Sequence, residues 1–469
     1  MAATRITVLL VGLLATVAHA QSSAPVPPPA DQQLAHDIFK QFIEIKSGYT
    51  TGSTTPVAEA AAARLRAAGF PDSDIFIGGA IPTKQNIVVR LHGSGAHRPI
   101  LLLAHEDVVE AKREDWSPDL DPYVFTEKDG YFYGRGTSDD KDQAAVWIAN
   151  LIRMKREGFV PDRDIIVALT ADEEGGGPYS GIEWLLKNHR ELIDAEFALN
   201  EGGYGEISHG KKISNDLQIS EKWVINFRFE VHNKGGHSSL PVPDNAIYHL
   251  AGGLTRIGTF GFPLKTNEAT AAYFHQMSGI ESGSAAAALK GFDAKSSEAL
   301  AGAAAVSPTW NSMLRTTCVA TQLEGGHALN ALPQLAAANV NCRVLPEDSA
   351  DYVQSTLKRV VADDQVSVNI LGEYSKAPGS PLTPTILNAV TKATEQEWPG
   401  VPLVPIMVPY STDGKYLRAA GIPTYGVQGF FMDRDDIRFH GRDERLLVTS
   451  FYEGQEFLYS LVRKLTTEN

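Results

Sequence analysis

Apolar positions recur with two periods along the chain, and the switches between them divide it. Leu34, Ile38, Phe42 and Ile45 fall at helical spacing from Asp31 onward. A second helix is predicted after Thr55, with Pro56 at its first position, an alanine-rich face and Gly69 as its stop. Strand-like runs follow at 86–91 and 99–103. Then come a helix over 141–156, a strand over 164–169, a helix over 181–189 and a strand over 196–199. That alternation predicts an α/β layer around a mostly parallel sheet.

Near Asp216 the pattern changes. A half-exposed strand over 222–232 leads to a helix at 244–257, strands at 313–323 and 335–345, a helix at 351–361 and a strand at 365–371. The order β-α-β-β-α-β is the ferredoxin-like split motif. Residues 258–308, rich in Ala, Ser and Gly, interrupt it without a readable period. After the linker-like 376–381, α/β elements resume: helix 385–397, apolar run 403–408, helix 413–420, strand 424–427 and a last helix over 446–465. The predicted organisation is therefore an α/β domain in two parts, 31–219 and 376–469, interrupted by a smaller α+β domain over 220–375.

Composition narrows the class. With 469 residues, 43% hydrophobic and 21% charged, the chain can bury real cores. A net charge of −14 argues against nucleic acid or an anionic membrane as partner. Arg5, the apolar run 6–17 and Ala18-His19-Ala20 have the form of a cleavable signal peptide over 1–20, which predicts a secreted or periplasmic protein. The run is shorter than the ~20 residues that span a bilayer, and no cysteine follows the cleavage site, so no membrane anchor is expected. Residues 21–30, with four prolines, read as a spacer. The two cysteines, Cys318 and Cys342, would face each other in a hairpin centred near Leu329-Asn330. A disulfide and a pair of buried thiols both fit that placement.

The candidate chemistry lies after the apolar runs, where open α/β sheets place their sites. His105-Glu106-Asp107 follows one run, Asp172-Glu173-Glu174-Gly175 a second and Asn200-Glu201-Gly202-Gly203 a third. The densest stretch, Gly134-Arg135-Gly136-Thr137-Ser138-Asp139-Asp140-Lys141-Asp142, follows a short aromatic strand. His440 lies in Phe439-His440-Gly441-Arg442-Asp443-Glu444. A lone histidine or acidic loop is ordinarily structural or solvated, but clusters at several strand ends call for a cation. There is no His-Glu-x-x-His helix and no Gly-x-Ser-x-Gly elbow, so the zincin and α/β-hydrolase readings fall away.

Taken together and in this order, these motifs resemble the M20 family of dizinc metallopeptidases. Gly235-Gly236-His237-Ser238 and Gly325-Gly326-His327-Ala328-Leu329-Asn330 resemble that family's inserted domain, and the carboxypeptidase S branch is the nearest likeness. The resemblance implies a catalytic α/β domain with its zinc site at strand ends and a smaller ferredoxin-like lid that serves for dimerisation. It implies two Zn²⁺ ions, with Co²⁺ or Mn²⁺ as substitutes, bridged by Asp139. His105 and Glu201 would complete one ion's ligands, and Glu174 and His440 the other's. Mixed imidazole and carboxylate donors suit zinc.

Further roles follow from the same resemblance. Glu173 would be the general base, Asp107 the carboxylate that fixes the His105 ring, and His237 the donor to the developing oxyanion. Arg343, with Asn330 beside it, would hold a substrate's free carboxylate. Asp413 has a supporting place, and Asp140 and Asp142 are expected to be ordinary helix-start carboxylates. The expected activity is hydrolysis of an amide next to a free carboxylate, by a carboxypeptidase, a dipeptidase or an N-acyl-amino-acid amidohydrolase. The contrasting expectation is a non-catalytic metal- or peptide-binding protein. A homodimer through the inserted domain is also implied.

Overall fold

The computed structural model describes residues 24–467. The predicted signal peptide lies outside them, as does the start of the spacer. The first helix, Pro29–Ile43, begins inside the span read as spacer, with its proline where an unpaired N–H would otherwise stand. No helix among the described residues is long and apolar enough to cross a membrane.

The larger body is built on a ten-stranded mixed sheet. Its centre is parallel: Ile100–His105 lies between Ile165–Thr170 and Phe197–Asn200, and Thr424–Gly426 follows beyond the latter. These strands are buried along their whole length, as expected where helices cover both faces. Antiparallel strands flank them, Ile75–Ile81 and Lys84–Leu91 on one side, Gly205–Ser208 and Lys211–Glu221 on the other. The helix Lys141–Arg156 has the predicted bounds and is buried over nearly its full length. It carries the dense acidic stretch at its N-terminal end.

The smaller body is an antiparallel sheet in the order Thr317–Gly325, Leu335–Val344, Trp223–His232, Ser367–Leu371. The helices Ala246–Thr259 and Ala350–Val361 cover one face, around Phe227, Phe229, Val340 and Leu357. Strand order and connectivity are those of the ferredoxin-like motif. Cys318 stands directly opposite Cys342 on neighbouring strands and is bonded to it.

The segment without a readable period is helical. Glu268–Ile280, Gly283–Leu289, Ser297–Ala304 and Pro308–Met313 form a small cluster around Phe274 and Trp310. Its apolar residues join the core of the larger body, against the strand Leu403–Val408, not that of the lid. A segment inserted in the lid's sequence thus fastens that domain to the other.

Helix Pro384–Glu397 packs on the last helix, Val448–Leu465, and ends on a buried carboxyl. Burial pushes Glu397 up to about 8, with Glu456 and Glu453 adding repulsion and Lys212 opposing. A carboxyl raised in the fold favours its protonated form. Its contribution to stability is therefore complete below the unfolded-state value and is lost as pH rises through about 8. Glu397→Gln, which cannot ionise, should melt higher than the parent at pH 9, by on the order of a few kcal/mol in unfolding free energy. The gap should close below pH 5 in denaturant titrations run at both pH values.

Candidate metal centre

The chain brings the five predicted ligands to one place beyond the carboxyl ends of the central strands. His105 is the last residue of its strand, Glu173 and Glu174 follow Ile165–Thr170, and Glu201 follows Phe197–Asn200. Asp139 lies between the strand Tyr131–Tyr133 and the helix Lys141–Arg156, and His440 sits in a loop before Arg445–Leu447. Donor atoms of His105, Asp139 and Glu201 lie within 4.8 Å of one another, and so do those of Asp139, Glu174 and His440. Asp139 belongs to both groups. Its Oδ1 is 2.9 Å from His105 Nε2 and its Oδ2 is 2.9 Å from His440 Nε2, so each oxygen faces one cluster.

The donor chemistry fits two divalent cations. Each group offers one imidazole and two carboxylates, which leaves room for a further ligand. Without a cation, Glu174, Glu201 and Asp139 would crowd their negative charge around two imidazoles. His105 is oriented from behind: its Nδ1 is 3.0 Å from the main-chain oxygen of Asp107, which turns Nε2 toward Asp139. That contact, and not the Asp107 carboxylate 3.8 Å away, fixes the ring. The carboxylate accepts instead from the N–H groups of Glu173 and Glu174, both at 3.1 Å. Asp107 therefore clamps the loop that carries the candidate ligand Glu174 and the base candidate Glu173. Burial pushes its carboxyl up to about 7, opposed by His105. Asp107→Ala should loosen that loop and weaken metal binding roughly 10–100-fold, the usual loss for a partner behind a ligand. Competition with a zinc indicator would read it.

Other groups hold this architecture that sequence patterning did not single out. Glu444 is fully buried, and one of its oxygens accepts from the N–H groups of Gly136 and Ser138, each at 3.0 Å. Its other oxygen pairs with Arg135, which also donates to the carbonyl of Gly441 at 3.0 Å. The turn bearing Asp139 and the loop bearing His440 are thereby tied together, though some three hundred residues separate them. Gly136 has φ +91° and lies against Val108 and Lys141, so a side chain there would be strained and crowded. Lys141 is buried and donates to the carbonyls of Phe42 and Ile45, at the end of the first helix.

Asp140 and Asp142 stand at the helix start, as expected: Asp140 immediately precedes Lys141–Arg156 and Asp142 is in its first turn. Both are buried, and Asp140 accepts from the main-chain N–H of His105 at 3.3 Å. They are helix-start carboxylates that the fold buries. Asp172, in the same acidic run as Glu173, pairs with Lys84 at 2.9 Å and so is engaged outside both clusters.

Both domains line a cavity of about 670 Å³ beside the clusters. Asp139, Glu173, Glu174, Glu201 and His440 come from the larger body, and Val224, Asn226 and Arg343 from the lid sheet. Burial pushes the Glu173 carboxyl well above the ordinary range; Asp413 and Glu174 add to this, and His105 and Lys415 oppose it. Asp413 is buried and accepts from the Thr170 hydroxyl at 2.7 Å. Arg343 lines the cavity from the lid side. His237 and Asn330 do not line this cavity. They lie exposed on the lid, His237 on a two-residue ribbon paired with Ala331–Leu332, and the Asn330 carbonyl accepts from the Ser238 N–H.

Known proteins match this chain along most of its length. The family model described as "Peptidase family M20/M25/M40" matches residues 101–464. A human N-fatty-acyl-amino acid synthase/hydrolase is 26% identical over 379 residues, covering 79% of this chain and 75% of that protein. A probable carboxypeptidase S-like protein of Dictyostelium discoideum is 28% identical over 390 residues, 78% of this chain and 71% of the other. Among solved structures, an M20 family metallo-carboxypeptidase from Sulfolobus solfataricus superposes with a TM-score of 0.68 at 16% identity, over 92% of this chain and 99% of that one.

Proposed function

The chain belongs to peptidase family M20/M25/M40 and is a metallohydrolase of the peptidase or aminoacylase type; from that premise we propose that it is a dizinc enzyme cleaving an amide bond next to a free carboxylate. The observation that carries the proposal is Asp139, shared by two donor groups at the edge of a cavity that also holds Glu173 and Arg343. Two zinc ions in these groups would supply Lewis acidity, polarising a carbonyl and lowering the pKa of water from 15.7 to about 7.

The protein's own groups do the rest. Glu173 lines the cavity but belongs to neither donor group, which leaves its carboxylate free to take a proton from the attacking water. It then delivers that proton to the leaving amine. Arg343, planar and always charged, holds the substrate's carboxylate from the lid side. His237 and Asn330, exposed and remote from this cavity, would act in that of a second copy, which makes the homodimer part of the proposal. The N-terminal stretch supports export, to the periplasm or beyond.

A second reading has its own support: the human relative's name specifies an N-acyl amino acid as substrate. Aminoacylase and carboxypeptidase chemistry would use the same ions, base and clamp. The deciding experiment is a panel of dipeptides, C-terminally varied longer peptides and N-acyl amino acids, assayed with and without chelator. Chelator-sensitive turnover of free-carboxylate substrates, absent on their amides, is expected. Metal-loaded protein that turns over none of them would end the proposal and leave the non-catalytic binding protein.

A further inference from the structure

Two cations line the cavity, and they come from opposite walls. Arg343 is on the lid strand Leu335–Val344, and Lys415 is in the first turn of the helix Gly414–Ala419 on the larger body. The two differ in how they are fixed. Arg343 is paired across strands with Val224 and held in the sheet, whereas the Lys415 ammonium lies 4.6 Å from the ring of Tyr416. Neither has a carboxylate within ion-pair distance among the described residues, although the charge of Lys415 acts on Asp413 and on Glu183, an exposed carboxylate hydrogen-bonded to Tyr416.

Carboxylates are near, but they are committed elsewhere. Asp413 accepts from Thr170, and Glu221 takes Arg418 at 2.7 Å and the Thr412 hydroxyl at 2.9 Å. Asp139, Glu174 and Glu201 form the donor groups. Glu173 feels both cations, as the charge of Lys415 acts on Glu173 and that of Glu173 on Arg343. The base candidate and both cations line the same cavity. Glu373, on the connecting segment, is exposed.

A cation in a cavity without a partner favours an anion that arrives with the ligand. One carboxylate satisfies Arg343 in the proposed reaction. Lys415, on the larger body's wall, is left over. We infer that Lys415 reads a second acidic group, so that the preferred substrates are dianionic: an amide whose released amino acid, or whose acyl part, carries an additional carboxylate. This rests on the proposed amide-hydrolase reading and names its substrate class. A point-charge ammonium on a flexible stem suits such a group in either position, and the short polar turn Ser411–Gly414 keeps its root at the cavity wall.

The test compares kcat/KM for matched pairs that differ only in that charge. One arm varies the released residue, N-acetyl-glutamate against N-acetyl-glutamine. The other varies the acyl side, succinyl-leucine against succinamoyl-leucine. The wild-type enzyme should favour the acidic member of at least one pair tenfold or more, chiefly through KM. Lys415→Met should reduce that ratio to within twofold of one, Lys415→Arg should keep most of it, and Lys415→Glu should invert it. Matched melting curves exclude misfolding.

A wild-type ratio near one in both arms overturns the inference. So does a Lys415→Met protein that loses kcat on both members equally with a displaced acid limb of the pH profile, since Lys415 would then serve Glu173. Absence of turnover on every member would overturn the amide-hydrolase reading as well, whereas loss of discrimination alone leaves it standing.

Discussion

Asp139→Ala protein will hold neither metal ion tightly, and its kcat/KM will fall by roughly 10³-fold or more. Loss of a single oxyanion donor already costs 10²–10³ in comparable hydrolases, and this change removes a ligand common to both groups. The argument is geometric. One Asp139 oxygen lies 2.9 Å from His105 and the other 2.9 Å from His440, so no remaining residue joins the two donor groups. His105→Ala removes a donor from one group only and should leave one ion bound. Metal analysis after dialysis separates the cases: near zero for the first variant, near one for the second. Two retained ions in Asp139→Ala would place the centre elsewhere.

Glu173→Gln should behave in the opposite way, keeping both ions while kcat drops by about 10²–10⁴-fold, the range for removing a general base or acid. Glu173 is absent from both donor groups yet lines the cavity, and its backbone is held by Asp107 on the same loop as the ligand Glu174. Glutamine preserves shape and burial without the proton affinity. Zinc content and kcat measured on one preparation decide it. A variant that hydrolyses as fast as the parent would remove Glu173 from the mechanism.

Much of this was legible before any coordinates. The alternation of apolar runs with metal-type residues placed His105, Glu174 and Glu201 at strand ends, because a parallel sheet buried on both faces writes a continuous apolar run and then stops. The helix 141–156 could be delimited because the glycine-rich acidic stretch before it and its basic last turn are both local signals. The change of period near Asp216 marked off the strands that form the separate four-stranded sheet.

What escaped was long-range or lacked a period. Glu444 is one acid in a polar loop; only the folded chain shows it under the N–H groups of Gly136 and Ser138. Asp140 and Asp142 carry the local signature of a helix start and stand at one, but their burial is set by the tertiary fold and has no local signal. The helices of 268–313 are short and alanine-rich, with apolar residues matched to the strand Leu403–Val408 of another domain, so no single face repeats along the sequence. Cys318 and Cys342 could be set opposite each other by symmetry, whereas the bond between them depends on strand register. The family resemblance placed Asp107 behind His105, but whether the main-chain oxygen or the carboxylate meets the ring is a matter of φ and ψ.

The most direct test of the central claim is activity against metal equivalents in chelator-stripped protein. Hydrolysis of the best panel substrate should be restored by zinc and level off at two equivalents per chain. Full activity in the stripped protein, or a plateau reached with no dependence on added metal, would contradict a shared two-ion centre at Asp139.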